Sequence, residues 1–283
     1  MSLFDPSSLD LDAYLDRIGY DGHVAPDLAT LQAIALLHPA AIPFENLDPL
    51  AGRPVPLDLA SLQQKMLRDG RGGWCFEHNL LFGSALAAIG FRVEGLAARV
   101  RWNAPHGIVT PRSHMVLHVD LDDGPHIVDA GFGGLTLTGP LRLEAAVEQP
   151  TPHERFRLMP DGDGFIAEAE VGDEWRPLYR FDLQRQALAD YQVTNWYLSN
   201  HPQSHFVTGL MAARAQPDRR YGLRNTDLSI HHRDGFTERR TLTTGREIRT
   251  TLEELFGIRV PAGEDLDAAF ARVAAAGVPH AAT

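Results

Sequence analysis

Cysteine is nearly absent: the chain has one, Cys75, in 283 residues. A single thiol cannot close an internal disulfide, so a disulfide-stapled scaffold is excluded and a reducing compartment, most simply the cytoplasm, is expected. No stretch of about 18 consecutive apolar residues occurs, so no membrane span is expected. Met1 to Asp10 hold Asp5 and Asp10 but no basic cluster and no long apolar run, so no secretory leader is expected. Positive charge is the minority sign. The 26 Lys and Arg against 37 Asp and Glu leave a net charge of −11, which repels a phosphate backbone and argues against a nucleic-acid partner. Metal-ligand spacing is missing as well. His231 and His232 are adjacent and would point apart in a strand, and His201, His205 and one cysteine make no zinc pattern. There is no Gly-x-Ser-x-Gly elbow, and Gly131-Phe132-Gly133-Gly134 lacks the spacing of a dinucleotide or P-loop fingerprint. That segment reads as a loop where backbone meets a ligand or, more plainly, as a simple turn.

What is present is ordinary globular composition, with 44% hydrophobic and 22% charged residues and length for two or three domains. The first ~90 residues read as a helical unit. Leu9, Leu11, Tyr14, Leu15 and Ile18, then Leu28, Leu31, Ile34, Leu36 and Leu37, recur at helical spacing. Ile42 to Pro49 is bracketed by prolines and reads as a loop, and Leu57 to Leu67 as a short helix. After the breaker Asp69-Gly70-Arg71-Gly72-Gly73, Trp74 to Ile89 is apolar and free of proline. This predicts a buried helix starting at or near Cys75 and stopped by Gly90. Then the pattern changes to strands: Phe91 to Trp102, Ser113 to Asp120, His126 to Ala130, Phe156 to Met159, Gly164 to Val171 and Trp175 to Phe181. These predict an antiparallel sheet or small barrel. Asp182 to Ser199, Ile248 to Phe256 and Leu266 to Ala275 read as helices, Leu228 to His232 and Phe236 to Leu242 as strands, and Val278 to Thr283 as a frayed end.

The plainer reading of a lone cysteine is a small buried hydrophobe. Cys75, however, is placed at a helix start, where the macrodipole favours negative charge, with Gly72 and Gly73 allowing close backbone approach and Arg71 nearby. A nucleophile needs a base, and the base an orienting group. His78 lies beside Cys75 on the same helix, but in the first turn, where the dipole disfavours an imidazolium. His106 sits in a Pro/Gly-rich loop. His114, Val116 and His118 share one strand face, and a turn over Asp120 to Pro125, centred near residue 122, puts position 114 opposite about position 130, next to Asp129. Either His114 and Asp129 pair at one end of this hairpin, or Asp129 caps a turn and His114 is a core histidine.

Arg71-Gly72-Gly73-Trp74-Cys75-Phe76-Glu77-His78-Asn79 resembles the arylamine N-acetyltransferase signature, Arg-Gly-Gly-x-Cys-x-x-x-Asn. Ile42 to Leu47, Pro111-Arg112-Ser113-His114-Met115, Val128 to Gly133, Tyr14 to Tyr20 and Ser204 to Gly209 resemble further segments of that family, in its order. The resemblance implies an α+β fold: a helical bundle over 1–90 carrying the nucleophile, an antiparallel β-barrel over 91–200 carrying histidine and aspartate, and an α/β lid over 201–283, with a papain-like Cys-His-Asp site. It implies acetyl-CoA as acyl donor, no metal, and a ping-pong mechanism through acetyl-Cys75, with His114 moving the proton and Asp129 orienting the imidazole. Acceptors would be arylamines, arylhydrazines or hydrazides, as in xenobiotic metabolism. Ser113, Gly131, Phe132, Gly133 and Phe206 would meet the coenzyme, and Phe44, Val100, Phe132 and Phe206 the flat amine. Arg71 and Glu45 would pair beneath the site. Neither membrane nor nucleic acid is implied as a partner, and a homodimer is left open. The rivals are a cysteine hydrolase or transglutaminase-type enzyme, an amide synthase closing macrolactams, and a non-catalytic binding protein.

Overall fold

A computed structural model describes residues 3–105 and 107–277. His106 and the predicted frayed end, 278–283, lie outside the described residues. The N-terminal helices are α1 (Leu11–Ile18), α2 (Leu28–Ala41), α3 (Leu47–Leu50), α4 (Leu59–Gln63) and α5 (Cys75–Ile89). Asp10, Asp27 and Asp58 cap α1, α2 and α4 by accepting from the N–H of Ala13, Thr30 and Ser61. The expected helix over 57–67 is two pieces, α4 and a π-type turn over Gln64–Arg68 that redirects the chain toward the glycines. The helix α5 is buried at every position from Cys75 to Leu86, its apolar residues in the core and its polar Glu77, His78, Asn79 and Ser84 each hydrogen-bonded.

Eight antiparallel strands follow: β2 (Arg92–Val100), β3 (His114–Leu121), β4 (Gly124–Val128), β5 (Leu141–Arg142), β6 (Gln149–Pro150), β7 (Arg155–Asp161), β8 (Gly164–Val171) and β9 (Glu174–Arg185). They pair in the order β5-β4-β3-β2-β9-β8-β7-β6. The two edges meet through the Gln149 amide, which accepts from Arg142 N–H at 2.7 Å and donates to Arg142 C=O at 2.9 Å, so the sheet curls into a barrel-like form. Strand β3 is buried on both faces. Met115, Leu117 and Val119 pack with α5 in the helical core, while Val116 joins Phe156, Leu158, Tyr179 and Phe181 inside the barrel. After α6 (Leu188–Asn200) and α7 (His205–Thr208), four strands of the five-stranded second sheet follow: β10 (Met211–Gln216), β11 (Arg219–Arg224), β12 (Asp227–His232) and β13 (Thr237–Thr241). The helices α8 (Gly245–Glu254) and α9 (Glu264–Gly277) pack on that sheet.

Three differences from the sequence reading have local causes. The loop expected at 42–49 contains a two-residue strand, β1 (Phe44–Glu45), which pairs with Ala213 and Ala212 at the edge of the second sheet, and α3. Residues 182–185, expected in a helix, extend β9, because Phe181 to Arg185 still reaches the β2 and β8 ladders. The β3–β4 turn is only Asp122–Asp123, with Leu121 opposite Gly124, so each partner lies one residue farther along than a turn centred on 122 would put it. Strands β10 and β11 are additions to the sequence reading. No described helix is long and apolar enough to cross a membrane.

Candidate active site

Three elements converge on Cys75. The chain reaches α5 through Gly72 and Gly73, which run beside β1: Glu45 N–H donates to Gly73 C=O at 2.8 Å and Gly73 N–H to Pro43 C=O at 3.3 Å. A Cβ on Gly72 would collide with the Pro43 carbonyl, so no side chain fits at that crossing. From the other side comes the loop after β4. A Cβ on Gly131 would lie 2.6 Å from Cys75 Cα, so only a glycine lets this loop close over the helix start. The third element is β3, whose first residue, His114, sits opposite Ala98 of β2.

The imidazole of His114 bridges the other two. Its Nε2 lies 2.6 Å from Asp129 Oδ2, which leaves Nδ1 on the side away from that carboxylate, and Cys75 also acts on the imidazole. The thiol itself points toward Ser113 C=O, with Sγ at 3.8 Å. His114 and Asp129 are 2% and 1% exposed, so each needs the other. Burial alone would pull the His114 pKa down, but the Asp129 charge and hydrogen bond, with Cys75 adding to them, raise it to about 10. Asp129 is lowered: burial would raise it, and His114, Asn79 and the Gly131 N–H outweigh that. Asp129 Oδ1 accepts from Asn79 Nδ2 at 3.0 Å and from Gly131 N–H at 2.9 Å. Asn79 also donates to Met115 C=O and accepts from Ala130 N–H, so this one amide joins α5, β3 and the loop after β4. Tyr179 packs its ring 5.0 Å from His114 and 5.2 Å from Phe132, with its buried hydroxyl near Asp129 but short of hydrogen-bond geometry.

The family profile described as N-acetyltransferase matches residues 27–265. An arylamine N-acetyltransferase of Mycobacterium tuberculosis (strain ATCC 25618 / H37Rv) is 47% identical over 257 residues, covering 89% of this chain and 90% of that protein. The chain belongs to the arylamine N-acetyltransferase family. The arylamine N-acetyltransferase of Mycolicibacterium smegmatis is 45% identical over 272 residues, 94% of this chain and 98% of its own length. Among solved structures, the Mycobacterium marinum arylamine N-acetyltransferase in complex with CoA superposes with a TM-score of 0.90 at 44% identity, covering 93% of this chain and 99% of that one.

Phe132 stands edge-on to His114 at 5.2 Å. Phe44 lies against Gly133, and its ring is 6.4 Å from that of Phe206, which in turn stands 4.8 Å from Trp74. Val100 is two residues from Ala98, the cross-strand partner of His114, so it shares the sheet face of His114, and it pairs with Tyr179. Arg71, read as positive charge near the sulfur, is committed elsewhere. It pairs with Glu45 at 2.7 Å and Asp48 at 3.2 Å, and Asp48 and Glu77 in turn hold Lys65, the sequence's one lysine. Glu77 closes the series by accepting from Trp74 N–H at 3.0 Å, fixing the residue before Cys75. Burial would raise the Glu45 carboxyl, but Arg71 and Lys65 hold it at about 2. Asn79 and Tyr179 were not singled out in the sequence. Asn79 closes the signature nonamer, a usable signal, whereas Tyr179 shows only strand alternation.

His78 does not face Cys75. Its Nδ1 meets His38 Nε2 at 2.9 Å and its Nε2 meets Pro43 C=O at 3.1 Å, while His38 Nδ1 meets Tyr14 Oη at 3.0 Å. Burial pushes the His78 pKa down to about 4 and the His38 pKa well below its ordinary 6.5; Glu45 draws His78 up and Lys65 pushes it down. The unfolded chain therefore takes up protons near pH 6.5 that the folded chain refuses. The contribution of this pair is complete above that pH and falls on acidification, for His78 by up to ~1.4 kcal/mol per pH unit toward about 4. His114 works in the opposite window, contributing fully below 6.5 and losing its contribution as pH rises through about 10. Urea unfolding at pH 7 and pH 5 checks this: a stability unchanged between them would contradict the neutral assignment of the buried pair.

Proposed function

We propose that this protein transfers the acetyl group of acetyl-CoA to arylamines, arylhydrazines and hydrazides by a ping-pong mechanism through acetyl-Cys75. One observation carries this reading: in a chain of this family, Asp129 holds the buried His114 imidazole at 2.6 Å, and Cys75 is the other side chain that raises that imidazole. With its pKa raised to about 10, the His114 imidazole already holds the proton given up by Cys75, and Cys75 Sγ attacks the thioester carbonyl carbon as a thiolate beside that imidazolium. The tetrahedral intermediate collapses by breaking the bond to the coenzyme sulfur, and the imidazolium returns the proton to that leaving group. The acceptor nitrogen then attacks acetyl-Cys75, His114 removes its proton, and the Cys75 sulfur leaves with the proton restored. Thioester and thiolate are matched leaving groups, so the exchange needs little driving force.

The proposal places the coenzyme's arm along Ser113, Gly131, Phe132, Gly133 and Phe206, and the flat acceptor against Phe44, Val100, Phe132 and Phe206. One pocket serves both substrates in turn, because CoA departs before the amine arrives. Mass spectrometry tests the reading. Acetyl-CoA alone should add about 42 Da at Cys75, and an arylamine should discharge it as the N-acetyl product. Discharge only to acetate would favour a hydrolase, and no adduct at all would remove the covalent route.

A further inference from the structure

His78 is part of the signature nonamer, yet the mechanism does not use it, and its ring is bonded away from Cys75. Tyr14, His38 and His78 are each 0% exposed and form one chain of hydrogen bonds across α1, α2 and α5. The chain ends on a carbonyl, and a carbonyl can only accept. His78 Nε2 must therefore carry hydrogen for Pro43, and with both rings neutral His78 Nδ1 accepts from His38 Nε2–H. His38 Nδ1 then accepts from the Tyr14 hydroxyl. Each ring nitrogen is used once, and the direction is fixed by the Pro43 carbonyl, which also accepts from Gly73 N–H at 3.3 Å. Polar groups are costly in a core, and leucine or phenylalanine would fill the same volume.

What the chain delivers is the position of one peptide. Pro43 immediately precedes Phe44, whose ring lies parallel to that of His78, within 4° and 6.4 Å away, and faces Phe206 at 6.4 Å. Beside Phe44 is a small cavity of about 10 Å³ that Pro39, Ile42 and Ala213 also border. We infer that His78 is a positioning residue for the acceptor half of the reaction, acting through the Pro43 carbonyl to set the Phe44 face of the amine pocket, with His38 and Tyr14 holding its tautomer. This rests on the acetyl-transfer reading given above. The groups facing the chain besides its own members are Arg17, Glu45 and Lys65.

The test separates the two half-reactions and compares a large with a small acceptor. His78→Phe removes the donor to Pro43, while His78→Gln keeps an N–H that can reach it. In His78→Phe, acetyl-CoA should load Cys75 at within about twofold of the parent rate, while KM for an arylamine rises about tenfold and that for hydrazine stays put. His78→Gln should recover most of the arylamine KM. Equal losses for both acceptors would reduce His78 to a structural role, and an unchanged arylamine KM, or a lost loading step, would overturn the proposal. Should His78→Phe fail to fold, Tyr14→Phe strips the far donor and should raise the arylamine KM about threefold; parent values there would count against the chain. If the parent itself takes no acetyl group, the acetyl-transfer reading fails separately, and arylamine Kd in parent and His78→Phe still reads the pocket wall.

Discussion

Cys75→Ser should fold like the parent, take no acetyl group from acetyl-CoA, and turn over arylamine at least about 10³-fold more slowly. The substitution changes one atom in a side chain that is 4% exposed, so packing is nearly conserved and stability should move by less than about 1 kcal/mol. The Gly131 contact is to the Cys75 backbone, which serine leaves in place. What changes is chemistry. A serine hydroxyl is far harder to deprotonate than a thiol, even beside an imidazole that Asp129 raises. An alkoxide would also have to expel the better-leaving coenzyme thiolate and then be expelled itself by an amine, so any ester formed would be a poor donor. Intact-mass measurement after acetyl-CoA, with circular dichroism for the fold, decides it. Turnover by Cys75→Ser within about tenfold of the parent would rule out a covalent thioester.

How much of this was legible in the sequence depended on the range over which each residue acts. The start of α5 at Cys75 could be read because Gly72, Gly73 and the uninterrupted apolar run after Trp74 are local signals. The meeting of His114 with Asp129 could also be read, since a short turn fixes which strand ends are neighbours. Even so, the register was one residue off, because the turn is the pair Asp122–Asp123. Asp129 reaches the imidazole from just beyond the paired residues, where the chain leaves the ladder at Val128. The segment at 42–49 could not be read. Its strand exists only because β10 comes alongside, and Asn46 clamps that approach by donating to Phe206 and Gly209 carbonyls and accepting from Met211 N–H. Phe206 is thereby brought to Phe44 from more than half the chain away. Tyr179 is a similar case: alternation in β9 puts it inside the barrel, but only the closed sheet sets its ring on His114.

Asp129→Asn should keep the fold and lower the rate of Cys75 acetylation by about 10⁴-fold, the size of effect that follows when a catalytic histidine is forced into the wrong tautomer. The direction comes from the donors around the carboxylate. Oδ1 accepts from Asn79 Nδ2 and Gly131 N–H, and neither partner can accept in return at those atoms. In the asparagine variant the remaining oxygen must keep that side, so the NH₂ group is turned toward His114 Nε2. An imidazole nitrogen facing a donor cannot carry hydrogen, so the His114 proton moves to Nδ1, the nitrogen facing Cys75. That nitrogen can then no longer accept the thiol proton. The same change removes the charge that raises His114, so the alkaline limit of acetylation should shift to lower pH as well. Asp129→Ala would not separate these effects, because it leaves Asn79 and Gly131 without their acceptor and opens a cavity beside α5. Rapid-quench measurement of acetyl-enzyme formation from pH 6 to 10 reads both rate and limb. An Asp129→Asn protein that acetylates within about tenfold of the parent would mean that the imidazole does not depend on this carboxylate for its tautomer, and the role given to Asp129 would fall while that of Cys75 stood.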